Sequence, residues 1–322
     1  MKRGGLAVSA TVLVLLLAAA GAVISSLAAA EPFKGSYWAL SFAFLVLGWA
    51  IAWALGWVVD AGLGKISMPE RVGNLLVPAL FGVAVIASWQ IYVAGSRIPV
   101  VLLPSPTQVW AKLINALPIL GADFVQTFVR AVIPGWIIGC LSGFLVALLC
   151  DRIDFLRRGL LPLGNLVAAL PIVGVAPILV MWFGFDWPSK AAMVVAMTFF
   201  PMLINALAGL AASGHMERDL MRSYGAGWLQ TLVKLRLPAA MPFIFNALKI
   251  NSTLALIGAI VAEFFGTPIV GMGFRMSTEV GRQALDMVWA EIAVAALAGS
   301  AFYGLLVALE RVVTFWHPSY RK

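Results

Sequence analysis

Residues 191–216 read AAMVVAMTFFPMLINALAGLAASGHM, 26 positions without an Asp, Glu, Lys or Arg. An α-helix needs about 20 mostly apolar residues to cross the hydrocarbon core of a bilayer. This stretch therefore predicts a membrane span. Outward from it, Gly159–Phe185, Val72–Ser96, Gly35–Val59 and Gly4–Ala30 also hold no charged side chain. Three further apolar stretches carry one or two charges: Phe124–Cys150 with Arg130, Leu237–Phe265 with Lys249 and Glu263, and Met287–Leu309 with Glu291. The expected fold is all-α, a polytopic membrane protein with about eight transmembrane helices.

Composition points the same way. Of the 322 residues, 62% are hydrophobic and 11% charged, with a mean hydropathy of +0.98; a soluble domain carries about 25% charged residues. That excess excludes an ordinary soluble enzyme. In a soluble protein the net charge of +8 would suggest nucleic acid. Here the basic residues sit between apolar runs and belong to topology, so membrane lipid is expected as surroundings and nucleic acid is not expected as a partner. With the amino terminus inside, fourteen Lys and Arg fall in inside segments and six outside, which predicts both termini to be cytoplasmic. Lys2-Arg3, an apolar run and Ala28-Ala29-Ala30 before Glu31 also resemble a cleaved signal. The run is longer than the usual span of about 7–15 residues, so a retained helix is preferred. Cys140 and Cys150 share one apolar segment and offer no disulfide framework or zinc spacing.

The chain changes character near residue 72. Residues 1–71 hold two plain spans, residues 72–318 carry Pro, Gly, Asn, Thr and charges, and residues 319–322 read as a cytoplasmic tail. Leu103-Pro104-Ser105-Pro106 marks an extended stop, and Thr107 is expected to cap a short helix running to Leu117. In Gly159–Phe185, Pro162, Pro171 and Pro177 alternate with Gly164, Gly174 and Gly184. The expectation is one kinked span, with Pro171 and Pro177 either packing or lining a pathway.

In Leu237–Phe265, Asn246, Lys249, Thr253, Leu256, Ile260 and Glu263 recur at steps of three and four, a mostly polar stripe on one helix face. Charges at mid-membrane are costly against lipid. The stripe is expected to face a translocation path or a partner chain; the alternative for Lys249 is to snorkel to an interface. The run from Gly266 to Gly271 and Gly273, with Pro268, cannot sustain a helix. An outer loop or re-entrant turn is expected there, acting as a gate or as a plain connector.

Motifs for hydrolysis and metal binding fail. The two histidines, His215 and His317, are too far apart for a helical pair of ligands, and no Gly-x-Ser-x-Gly elbow occurs. Gly62-Leu63-Gly64-Lys65-Ile66 lacks both the earlier glycine and the following Ser/Thr of a phosphate loop. No metal site and no cofactor is expected on this chain. If ATP drives it, another subunit hydrolyses the ATP.

The most charged inside segment is residues 213–238, SGHMERDLMRSYGAGWLQTLVKLRLP. As a helix, Met216, Leu220 and Tyr224 line one face, and Asp219 and Arg222 are spaced for an ion pair. Gly225-Ala226-Gly227 should stop the helix. A second segment, Trp228–Leu237, leads into Pro238. Such an element suits a socket on a soluble partner; the alternative is a helix lying on anionic lipid.

The spacing of Asp219, Gly225 and Leu235-x-Leu237-Pro238 resembles the coupling signature of ABC importer permeases of the nitrate, sulfonate and taurine type. Leu103-Pro104-Ser105-Pro106, Trp182-Phe183-Gly184 and Val261-Ala262-Glu263-Phe264-Phe265-Gly266 support the resemblance, which covers residues 72–318. Where the signature has Glu-Ala-Ala this chain has Asp219-Leu220-Met221, which keeps the acid and enlarges both small positions. The two helices of residues 1–71 are extra to the usual six-span core.

The resemblance implies a permease subunit in a bacterial inner membrane, paired as a homodimer. Its partners would be a dimer of cytoplasmic ABC ATPases, which bind ATP and Mg, and an extracytoplasmic solute-binding protein. Asp219, Leu220, Met221, Gly225, Leu235, Leu237 and Pro238 would couple the ATPase. Asn246, Lys249, Thr253 and Glu263, with Pro171 and Pro177, are candidates for the path. Gly266, Gly271 and Gly273 would meet the outer mouth or the binding protein. The solute is expected to be a small sulfonate, taurine or nitrate, or a pyrimidine- or flavin-like heteroaromatic, the latter cued by Phe315-Trp316-His317-Pro318-Ser319. The rival readings are an ion-coupled secondary transporter needing no ATPase, and an intramembrane enzyme.

Overall fold

The computed structural model describes residues 70–95, 98–168, 171–266 and 269–316. The two spans expected in residues 1–71, apart from the last two positions, and the tail at 319–322 lie outside the described residues. In chain order the helices are α1 (Glu70–Gly95), α2 (Pro106–Asn115), α3 (Leu117–Phe124), α4 (Ile133–Arg152), α5 (Asp154–Ala168), α6 (Ile172–Phe183), α7 (Trp187–Ala211), α8 (His215–Ser223), α9 (Trp228–Thr231), α10 (Leu237–Glu263), α11 (Met272–Gly281) and α12 (Leu285–Val313). No strand occurs among the described residues.

Four continuous helical stretches are long and apolar enough to cross a membrane: Leu117–Arg152, Trp187–Ala211, Trp228–Glu263 and Leu285–Val313. Two of them are assembled from shorter pieces. Val125–Val132 joins α3 to α4, and Leu232–Arg236 joins α9 to α10, each as a wider π-helical stretch. Each stretch ends two residues before a proline, Pro134 or Pro238. A proline ring crowds the carbonyl four residues back and donates no hydrogen bond. Local widening of the helix relieves that crowding without breaking the rod.

The expected single span over Gly159–Phe185 is two helices instead. Pro171 begins the second with an extended backbone, φ −67° and ψ 106°. With Pro171 itself outside helical geometry, the helix does not run on through it but starts afresh at Ile172. Pro162 and Pro177 sit inside α5 and α6.

The cap of α2 also differs from expectation. Ser105, not Thr107, closes the helix: Gln108 N–H donates to Ser105 Oγ at 3.4 Å, and Ser105 N–H donates to Gln108 Oε1 at 2.8 Å. This is a reciprocal capping box, and it places Pro106 at the first helical position, where its missing N–H costs nothing.

The chain divides into two compact units. The first ends at Asn115 and includes Gln283–Trp289. In it Lys112 pairs with Asp286 at 3.2 Å, and the rings of Trp89 and Trp289 lie 4.8 Å apart. The second comprises Ala116–Arg282 and Ala290–Lys322. Its axis is α7, which packs against both α4 and α10. Gly135, Gly139 and Gly143 on α4 make the first contact. A β-carbon on them would lie 2.6 Å from Val194 Cβ, 2.0 Å from Thr198 Oγ1 and 2.5 Å from the Phe199 carbonyl oxygen. Within that core the fully buried Asn251 of α10 donates Nδ2 to the Thr198 carbonyl at 2.8 Å and to Cys140 Sγ at 3.2 Å. One amide thus ties all three helices together.

Candidate functional site

Two groups of chemistry-bearing residues in the second unit stand at the two ends of α10, which is 27 residues long, or about 40 Å at 1.5 Å per residue.

At its amino-terminal end stands the segment 213–238. α8 has no buried residue. Met216, Leu220 and Tyr224 are 83%, 56% and 81% exposed, so the apolar face expected from the sequence points away from the bundle and is left open among the described residues. The helix stops as expected. Gly225 adopts φ 73°, its N–H donates to the Arg222 carbonyl at 2.9 Å, and Ala226 N–H donates to the Met221 carbonyl at 3.0 Å. That pattern is a Schellman motif. Asp219 and Arg222 form the anticipated pair at 3.4 Å, both largely exposed, and such a surface pair adds little stability. Asp219 and Leu220 are exposed and Met221 is half-buried. Leu235, Leu237 and Pro238 are half-buried, and Leu237 packs on the cluster of Cys140, Met202, Ile244 and Ala247. The first half of the segment therefore presents a surface, and the second half anchors it.

Along α10 the polar stripe is divided. Asn246 and Thr253 are exposed, in one row with Phe243, Ile250 and Ile257. Asn246 Nδ2 reaches Asn205 Oδ1 of α7 at 3.4 Å. Leu256 and Glu263 are buried and Ile260 half-buried. Lys249 turns to α12, where its Nζ meets Glu310 Oε2 at 2.7 Å. Pro171 and Pro177 are exposed.

At the carboxy-terminal end of α10 lies a buried polar hub that sequence reading missed as a unit. Met272, Gly273 and the preceding Gly271 open α11 with three N–H groups that no helical carbonyl can accept. Each is taken by a side chain from a different element. Gly271 N–H donates to Asp123 Oδ1 at 2.6 Å, Met272 N–H to Thr127 Oγ1 at 2.8 Å, and Gly273 N–H to Glu263 Oε2 at 2.7 Å. Thr127 Oγ1 in turn donates to Glu263 Oε1 at 2.8 Å. Arg275 Nε donates to Asp123 Oδ2 at 2.8 Å. That bond holds the guanidinium above its already high ordinary pKa, so Arg275 keeps its charge. Lys190, 1% exposed, donates to the carbonyls of Phe185 and Gly266. Glu291, fully buried, faces Asp123, Arg275 and Glu263.

The turn expected at Gly266–Gly273 is shorter than its glycines suggested. Gly266 and Gly271 have φ 158° and 143°, but Gly273 is already helical. Its role is close approach: a β-carbon there would lie 2.2 Å from the Ile260 carbonyl oxygen. Thr267 and Pro268 lie outside the described residues. The signal for the hub was present in Glu263 and Glu291, acids embedded in apolar runs; their partners were too distant in sequence to name.

Residues 137–317, more than half of the chain, match the family described as binding-protein-dependent transport system inner membrane component. The chain belongs to that family. This permease is 31% identical over 219 residues to a Haemophilus influenzae protein named "Probable ABC transporter permease protein", covering 68% of this chain and 89% of that one. It is 30% identical over 250 residues to the formylaminopyrimidine transport permease protein of Halalkalibacterium halodurans, covering 77% and 98%. It is 32% identical over 161 residues to the taurine transport system permease protein of Escherichia coli, covering 50% and 58%. Permeases of this family are non-enzymatic translocation subunits of the inner membrane and work with an ATPase and a solute-binding protein. The matched region takes in both ends of α10, the segment 213–238 and the hub residues Lys190, Glu263, Gly271–Arg275 and Glu291, while Asp123 and Thr127 of the hub precede it.

Proposed function

We propose that this permease is the translocating subunit of an ATP-driven importer whose cytoplasmic ATPase docks on segment 213–238. The observation that carries this reading is the uncovered row of Met216, Leu220 and Tyr224 on a helix that buries none of its own residues. A row of this kind is a helix-in-groove ligand. Asp219, Leu220, Met221 and Gly225 form the docking face, and Leu235, Leu237 and Pro238 seat it on the bundle. ATP and Mg bind the partner; this chain supplies no cofactor site. Both termini are cytoplasmic by the distribution of Lys and Arg.

Two copies form the pathway as a homodimer. The row of Phe243, Asn246, Ile250, Thr253 and Ile257 is the face turned to the path or to the second copy, because exposed Asn and Thr side chains are poorly placed against lipid. The solute is a planar heteroaromatic delivered by an extracytoplasmic binding protein. That preference rests on the relative named for formylaminopyrimidine, which is 30% identical over 98% of its length, against 26% for the two named for aliphatic sulfonates, matched over 88% and 93% of theirs.

Co-expression with the ATPase and binding protein, followed by reconstitution into vesicles, tests the proposal. Uptake of a labelled pyrimidine that requires internal ATP, and that taurine does not compete, is the expected result. Uptake that persists without any ATPase, driven by an ion gradient, would replace this reading with a secondary transporter.

A further inference from the structure

Arg236 closes segment 213–238 just before α10 begins, and it is engaged on all sides. Its Nη1 and Nη2 donate to the two carboxylate oxygens of Asp151 at 2.6 and 2.5 Å, a two-pronged pairing with the last turn of α4. Its Nε and Nη2 also donate to the Leu210 carbonyl at 3.1 and 3.0 Å. Arg218, on α8 at the other side of the segment, reaches the same place: Nη2 donates to the carbonyls of Leu210 and Ala211 at 3.3 and 2.9 Å, and Nε to Ser213 Oγ at 2.8 Å. The last carbonyls of α7 lack intrahelical donors and carry the negative end of the helix dipole, which suits two guanidinium groups. Next to Asp151, Arg152 lies 4.9 Å above the ring of Trp228 on α9.

Both sides of the segment therefore converge on Leu210, and one side is forked to Asp151. The Arg236 and Asp151 side chains are 13% and 10% exposed, whereas the docking face is open. We infer that the Arg236–Asp151 fork is a transmission joint: it positions the docking segment so that a displacement of α8 moves the ends of α4, α7 and α10 together. This rests on the docking reading above, and it assigns to Arg236 and Asp151 a role that touches neither ATPase nor solute. A single bond would let the segment swivel. A planar fork with a third contact to Leu210 fixes its orientation.

The test uses the complete importer in vesicles, with the permease carrying Asp151→Asn or Arg236→Lys. Asparagine keeps the volume and loses one acceptor, and lysine keeps the charge and loses the fork. The measurements are ATPase co-purification and the number of solute molecules moved per ATP hydrolysed. Both variants should retain the ATPase and lower the transport ratio at least fivefold. A ratio equal to that of the parent would overturn the inference, even if abundance fell, because fewer complexes lower both rates equally. Loss of the ATPase from either variant would overturn it too, by making the fork part of the docking face. Leu220→Asp serves as the separate check on docking. ATPase retained by that variant would remove the docking reading and the joint with it; ATPase lost, with parental ratios in the fork variants, would remove the joint alone.

Discussion

Lys249 on α10 and Glu310 on α12 meet at 2.7 Å, with side chains 17% and 7% exposed, inside two stretches able to cross the membrane. Removing one member leaves a charge without its partner, at a cost of about 3–5 kcal/mol, while replacing both with apolar residues of similar size is often neutral. Lys249→Met alone should lower the thermal midpoint of the purified permease sharply. Lys249→Met with Glu310→Met should recover most of it. Equal midpoints for the single and double variants would contradict the pairing.

Glu263→Gln tests the hub. The native carboxylate accepts from Thr127 with one oxygen and from Gly273 with the other. An amide can accept with only one, so a buried donor loses its acceptor at about 1–3 kcal/mol. The expected result is a lower thermal midpoint and faster amide exchange at the start of α11. Exchange unchanged at Met272 and Gly273 would argue against the arrangement.

Gly225 and Gly271 should respond differently to substitution. A β-carbon at Gly225 would meet nothing within 4 Å, so only its φ of 73° resists change. Asparagine accepts that conformation readily. Gly225→Asn should keep ATPase co-purification, whereas the β-branched Gly225→Val should lose it. At Gly271, φ is 143° and a β-carbon would lie 2.7 Å from Glu263 Oε1. Gly271→Ala adds steric conflict to about 1–3 kcal/mol of backbone strain and should reduce folded permease in the membrane.

Cysteine scanning reads the face of α10. Thr253 is exposed and Ala259 fully buried. In a variant without Cys140 and Cys150, cysteine at Thr253 should react with a water-soluble thiol reagent, cysteine at Ile260 more slowly, and cysteine at Ala259 hardly at all. Equal reaction at all three would mean that α10 does not present one open face.

The local features were legible in the sequence because their causes are local. Apolar runs point to the four membrane-length stretches among the described residues, and Gly225, two residues beyond Ser223, points to the stop of α8. Ser105 was passed over for Thr107 because two hydroxyls flank Pro106 and only Gln108, reaching back, decides between them. Periodicity alone does not distinguish a kinked helix from two, so the break at Pro171 reads as a bend in the sequence. The hub and the ion pairs were out of reach for another reason. Thr127 and Glu263 are 136 residues apart, Arg236 and Asp151 are 85 apart, and Lys249 and Glu310 are 61 apart. Helical spacing places a residue on a face and says nothing of which distant helix comes to meet that face.

The glycine row of α4 carries a consequence for the setting in which this molecule works. With no side chain on Gly135, Gly139 and Gly143, α7 comes so close that Val194, Thr198 and the Phe199 carbonyl fill the space a β-carbon would need, and the seam holds by close van der Waals packing, as small-residue seams in membranes do. No acyl chain or detergent tail fits into such a contact. The α4–α7 pair will therefore keep its geometry in thick and thin bilayers alike. Adaptation to bilayer thickness must then fall to the tilt of other helices, such as α12, whose apolar window is only 11% buried among the described residues.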